Sequence, residues 1–255
     1  MSNDVPKMRW TNQAEDQLRS FMDAATEGTT EIWNEHAELI SILSRIVNSW
    51  NFLGPELRHG NFMSYPLFFA AHSTYLAAVR TATAGHTAAV WPLVRAALEA
   101  ALYAVIVSGD DALAQKWADP EFDRRERSRL FTAKKGIELV RADSADIASY
   151  ISQVYETSID FGAHPNRLGV VRHLEFGETD ENYEMSFAVL WQSSHHRVIE
   201  GLVSCVDGGI ATLLALCIAT RKKDQQVADK VYEIWFAFRD LAREKGWIQK
   251  DVSSH

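Results

Sequence analysis

Arg95 and Glu99 stand four residues apart in an otherwise apolar run, HTAAVWPLVRAALEAALYAVIVS (86–108). Residues four apart share one face of a helix, so guanidinium and carboxylate are set to pair. A helix that is apolar on all sides is a buried helix, and a buried charge must be paired or it costs several kcal/mol. The spacing therefore predicts an internal ion pair at the centre of the chain, with Tyr103 one turn beyond Glu99. Two readings stay open. The pair is a clasp that keeps helices in register, or it is the floor of a site where a guanidinium held by its carboxylate receives an anionic group.

A second constellation lies in ETSIDFGAHPN. Glu156 and Asp160 share a helical face, and His164 falls at or just past the helix end, between Gly162 and Pro165. A histidine there is a candidate general base or metal ligand; it is equally a C-terminal cap that complements the helix dipole. A third is His195-His196 with Glu200 four residues past His196, which offers imidazole and carboxylate to one ion or simply marks an exposed helix start. A four-helix di-iron site needs two Glu-x-x-His motifs; only Glu56-Leu-Arg-His59 has that form, in a Gly/Pro segment. No cofactor is called for. Finally, an arginine is followed by a histidine after five residues twice, Arg80…His86 and Arg167…His173. Arginine for phosphate and histidine for proton transfer is a pairing suited to metal-independent RNA cleavage.

Phosphate loops, dinucleotide fingerprints, Gly-x-Ser-x-Gly elbows and zinc-finger cysteine sets are missing from the sequence. The net charge of −8 disfavours non-specific nucleic-acid binding, which clustered Lys and Arg drive. The basic stretch Arg124, Arg125, Arg127, Arg129, Lys134 and Lys135 is interleaved with Asp123 and Glu126, which reads as a solvated face.

The elements that must position these groups are helical. The chain of 255 residues is 47% hydrophobic with only 6 Pro and 13 Gly, too few turn residues for an all-β protein. Apolar periodicity predicts helices over about 11–25 and over 30–50, the second capped by Thr29 or Thr30. NFLGPELRHGNF reads as a loop. Ser64 opens a long helix that stops near Gly85, the 86–108 helix follows with a kink or restart at Pro92, and the two form an αα-hairpin. A short helix follows Asp110. EFDRRERSRLFTAKKGIELV and ADIASYISQVYETSIDFGAH each read as one helix, the latter ending at Pro165. Alternation over GVVRHLEF and YEMSFAVL predicts a β-hairpin at 168–189. Helices from Ser193 or Ser194 to about Thr220 and over 224–244 complete the chain. The reading is a mainly α, single-domain bundle of about eight or nine helices at 10–250, with a flexible tail at 1–9 and a small β-hairpin insertion. If one helix carries both Cys205 and Cys217, about 18 Å separates them, which forbids a disulfide. With no signal peptide and apolar stretches short of the ~20 residues that span a bilayer, the expectation is a cytoplasmic protein away from membranes. The long apolar helices favour a homodimer, and the partner is a small anionic ligand or a protein.

WPLVRAALEAALYAV and SIDFGAHPN resemble segments of uncharacterised bacterial all-helical proteins that share an Arg-x-x-x-Glu helix and a later His-Pro or His-Ser loop. Such families are in turn distantly similar to the HEPN helical domains of toxins and phage-defence systems. The resemblance covers about residues 60–220 and implies a helical fold with Arg95, Glu99 and His164 as the matching positions. It also implies, as an alternative to a binding or regulatory role, a HEPN-like ribonuclease, whose Arg-x(4–6)-His motif sits at a helix start. Arg80…His86 fits that spacing at a predicted helix end, and Arg167…His173 runs into a predicted strand. A metal-binding bundle using Glu99, His164 and His195 or His196 is a third reading.

Overall fold

A computed structural model describes residues 10–58, 61–163, 167–178, 183–220 and 225–247. The fold is mainly helical. Its helices are α1 (Trp10–Glu35), α2 (Ala37–Arg58), α3 (Ser64–Thr83), α4 (Val90–Ser108), α5 (Asp111–Ala118), α6 (Arg124–Leu130), α7 (Ala133–Asp143), α8 (Ala145–Ser158), α9 (Arg167–Val171), α10 (His196–Ala219) and α11 (Gln225–Glu244). That is more than the eight or nine expected. A 3-10 turn (Thr87–Ala89) leads into α4, and a π turn (Ile159–Ala163) extends α8. Two five-residue strands, β1 (Leu174–Glu178) and β2 (Tyr183–Phe187), pair antiparallel with Leu174 opposite Phe187 and Glu178 opposite Tyr183. The first part of the region expected to be extended is instead helix α9.

Three helices form the centre. α4 packs between α3 and α10, and α10 also meets α2, α8 and α11. Leu98, Ala101 and Leu102 of α4 and Leu202, Cys205 and Ile210 of α10 have no solvent exposure. The glycines within α10 make this possible. A Cβ on Gly208 would stand 2.4 Å from Val94 Cγ1, and one on Gly209 would stand 2.5 Å from the Tyr75 hydroxyl. The helices approach as closely as they do because those two side chains are absent.

Several boundaries differ from the sequence reading, each for a local reason. α1 runs straight through 26–30. The Thr26 and Thr29 hydroxyls donate back to the carbonyls of Met22 and Ala25, so these residues ride inside the helix rather than capping a new one. The break falls at His36, whose Nε2 lies 2.8 Å from the Ser193 carbonyl oxygen. Gly54 and Pro55, read as loop, lie inside α2, where burial of Leu53 and Leu57 overrides local propensity. The charged helix expected from 121 divides into α6 and α7. Asp123 caps the first by accepting from Glu126 N, and Thr132 caps the second by accepting from Lys135 N. Two helical spans, Thr87–Ser108 and His196–Ala219, are long and apolar enough to cross a membrane by length and composition. This corrects the expectation that no stretch reaches that length. In the fold, 56% and 78% of their most apolar windows are buried within the chain.

Candidate functional site

Arg95, Glu99 and Tyr103 project at successive four-residue steps from α4 on the side that meets α8. Arg95 Nε donates to Glu99 Oε1 at 2.8 Å. Tyr155 of α8 completes a triangle. Its hydroxyl accepts from Arg95 Nη2 at 3.1 Å and donates to Glu99 Oε1 at 3.0 Å, and the guanidinium lies over its ring. The arginine and glutamate side chains keep 19% and 27% of their surface in solvent. The pair is therefore at the edge of the core, not sealed within it, and Ala96 between them is exposed. α4 is apolar in composition but one of its faces is open, which is why composition alone placed the pair too deep.

The electrostatics of the site are coupled. Burial, then the Glu99 carboxylate, raise the Tyr155 phenol above its ordinary range. Burial, Glu99 and Tyr155 do the same to Tyr103. Burial works against the Arg95 charge, but the hydrogen bond and charge of Glu99 outweigh it and hold the guanidinium protonated.

Tyr103 also belongs to a cavity of about 520 Å³. Its walls are Tyr103, Trp117, Phe122 and Phe131, with Arg124 and Arg127 of α6 beside them. The ring centroids of Trp117 lie 5.1 Å from Tyr103 and 4.8 Å from Phe131. Arg127 Nη2 donates to the Asp119 carbonyl while its Nε has no partner. The basic stretch is a solvated face, with Arg124, Arg125, Arg129, Lys134 and Lys135 exposed, and Arg124 and Arg127 also border the aromatic wall. A smaller cavity of about 310 Å³ is lined by Trp50, Tyr65, Phe68, Phe69 and His72 with no acidic or basic wall residue besides the histidine, and burial lowers the pKa of His72.

The other candidates are dispersed. Asp160 lies on the π turn and is exposed, as is Glu156; His164 lies outside the described residues. Arg80 donates to Thr29 Oγ1 at 2.8 Å, and the half-buried His86 meets Phe21 edge-on. Arg167 is exposed on α9, whereas His173 is only 3% exposed and accepts from Trp191 Nε1 at 3.3 Å on Nδ1. His195 is the N-cap of α10, accepting from Arg197 N on Nδ1, and stacks on Trp191 at 4.0 Å. His196 is exposed. Glu200 is held by Arg172 and Arg197. His195, His196 and Glu200 therefore do not make a metal centre, and among the described residues no three His, Cys, Asp or Glu side chains are grouped to hold an ion.

Two groups escaped the sequence reading. Tyr155 is sixty residues from Arg95 and carries no local signal. Trp117 and Phe131 stand 14 and 28 residues beyond Tyr103, and only the fold lines them up with it. Comparison with protein-family models, with curated proteins and with solved structures found no match.

Proposed function

We propose that this chain is a non-catalytic binding protein whose ligand is a small anion that carries a flat ring, with a nucleoside monophosphate as the chemical type. One observation carries the reading: Tyr103 lines the aromatic cavity and at the same time feels the charge of Glu99 and the Tyr155 phenol. In this reading the polar triangle borders the cavity, with Tyr103 shared between them. A flat ring stacks among Tyr103, Trp117 and Phe131, as aromatic side chains accept bases of any sequence. Arg124 and Arg127 meet the anionic group. Arg95, Glu99 and Tyr155 supply polar contacts at the other end of Tyr103. The volume of about 520 Å³ falls within the range of small-molecule sites. A soluble cytoplasmic setting belongs to the same proposal, supported by the use of α10's apolar surface against six neighbouring helices, α2, α3, α4, α7, α8 and α11.

Isothermal titration of AMP into the full chain tests this. Binding that weakens at least tenfold in Arg124→Ala and in Tyr103→Ala supports the site. No heat with AMP, or an affinity unchanged from the natural chain in either variant, overturns it. Cleavage of a single-stranded RNA by the purified chain overturns the non-catalytic part and favours the HEPN-like alternative.

A further inference from the structure

A second charged cluster sits where the segment before β1 meets the start of α10. Arg172 and Arg197 both donate to the same oxygen, Glu200 Oε2, the latter at 2.8 Å. Two guanidiniums share one carboxylate, so among the described residues the cluster carries one positive charge more than negative. Among the described residues, the charged groups that act on neighbouring His173 are Arg172, Arg197, Glu200 and His86, of which only Glu200 is an anion. The arginine side chains are only 11% and 21% exposed.

The cluster closes on a cleft lined by Thr87, Arg172, His173, Arg197 and Glu200. Three buried polar atoms of these residues have no hydrogen-bond partner: Arg172 Nη1, Arg197 Nε and Thr87 Oγ1. Two are obligate donors and the third is a hydroxyl that donates freely. Thr87 as a whole is 6% exposed. Buried donors without partners are destabilising, and such a set in a positively charged cleft is complementary to an acceptor that carries negative charge. The void is about 10 Å³, close to one water-sized sphere. That excludes a tetrahedral oxyanion without rearrangement and leaves room for one atom.

We infer that the cleft between Arg172, Arg197 and Thr87 is a structural binding site for a single halide ion, chloride under ordinary conditions. The ion takes the orphan donors of the two arginines and the threonine hydroxyl. It neutralises the charge that Glu200 leaves over, and it ties the 3-10 turn before α4, the segment ahead of β1, and α10 together. This site is independent of the aromatic cavity and of the function proposed for it.

Bromide, which scatters anomalously, is the probe. Crystals of the full chain grown in sodium bromide are expected to show an anomalous peak in the cleft within contact of Thr87 Oγ1 and both guanidiniums. In solution, the melting temperature in sodium chloride is expected to exceed that in sodium gluconate of equal ionic strength by about 2–4 °C, the shift that about 1 kcal/mol gives a chain of this size. Thr87→Val keeps the shape, removes one donor and should abolish most of that increment. A cleft without bromide, a water or sulfate in its place, or an equal chloride increment in Thr87→Val overturns the assignment.

Discussion

The Tyr155 hydroxyl lies 3.0 Å from Glu99 Oε1, joining α8 to the acid of an i, i+4 ion pair on α4. One oxygen of Glu99 thus serves two donors, the Arg95 guanidinium and the Tyr155 phenol. Because both charged side chains keep roughly a fifth to a quarter of their surface in water, the pair is worth less than a sealed one. A fully buried pair broken on one side costs about 3–5 kcal/mol; an exposed pair is worth about 0–1. Glu99→Gln is expected between these, at about 1–2 kcal/mol, and Tyr155→Phe at about 1 kcal/mol, the net worth of one hydrogen bond. The double variant should lose less than the sum, since Glu99→Gln weakens the charge-assisted contact that Tyr155→Phe removes. Urea denaturation of the four proteins measures this, and strict additivity would show that the two side chains act independently.

Acid stability depends on two groups that pull in opposite directions. Burial raises the Asp207 carboxyl to about 6 from an ordinary 3.8, although the Tyr150 hydroxyl bonded to it at 2.9 Å works the other way. The native state then holds more protons than the unfolded chain between those values, so this group favours the fold at low pH and the advantage is lost as pH rises through 6. Burial, with Arg172 and Arg197 beyond it, lowers His173 to about 4 from 6.5. That contribution is present above 6.5 and is lost as pH falls towards 4. The windows overlap, so in the natural chain the two slopes largely cancel. Asp207→Asn leaves His173 alone, and unfolding free energy should fall on acidification from pH 6.5 to 4 by up to ~1.4 kcal/mol per pH unit. His173→Gln, which keeps an acceptor for the Trp191 indole, should reverse the slope. Parallel pH profiles for the natural chain and both variants would rule out titration of these groups as the cause.

The aromatic wall makes a prediction separate from ligand binding. Trp117 packs against Tyr103 and, edge-on, against Phe131, so it anchors α5 to α4 as well as shaping the cavity. Trp117 is half-buried, so Trp117→Phe, which keeps a ring there, should cost under about 1 kcal/mol, and Trp117→Ala about 1–3 kcal/mol, below the range for a fully buried aromatic. A melting temperature unchanged in Trp117→Ala would place that indole outside the packed wall.

The sequence pattern made the helical character and the Arg95/Glu99 pair legible, because both rest on short-range periodicity. What it did not reveal is what depends on distant contacts. Nothing near Glu99 announces Tyr155, and nothing near Arg172 announces Arg197, which α10 brings to the same carboxylate oxygen. Thr29 was taken as a helix cap because threonine caps well, yet its hydroxyl is satisfied by a carbonyl one turn back and by Arg80. Gly54-Pro55 read as a loop by propensity, but the buried leucines on either side hold it helical. The reading placed Arg95 and Glu99 too deep because a run rich in alanine looks buried on every side, while small residues such as Ala96 tolerate solvent at little cost.

The packing of α10 on α4 and α3 rests on Gly208 and Gly209, and it gives the last prediction. Glycine inside a helix is ordinarily worse than alanine by about 0.5–1 kcal/mol, so on propensity alone Gly208→Ala should stabilise α10. Geometry argues the opposite. The added methyl would stand 2.4 Å from Val94 Cγ1 and 3.2 Å from Cγ2, and Val94 is 1% exposed on the face of α4 that meets α10. A β-branched side chain has one preferred rotamer in a helix and cannot swing away. Overpacking costs about 1–3 kcal/mol, which outweighs the propensity gain, so Gly208→Ala should lower the melting temperature. Gly208→Ala combined with Val94→Ala relieves the clash and should recover part of the loss relative to Val94→Ala alone. Thermal melts of the three variants decide the matter: stabilisation by Gly208→Ala by itself would mean that α4 and α10 are farther apart than the structure places them.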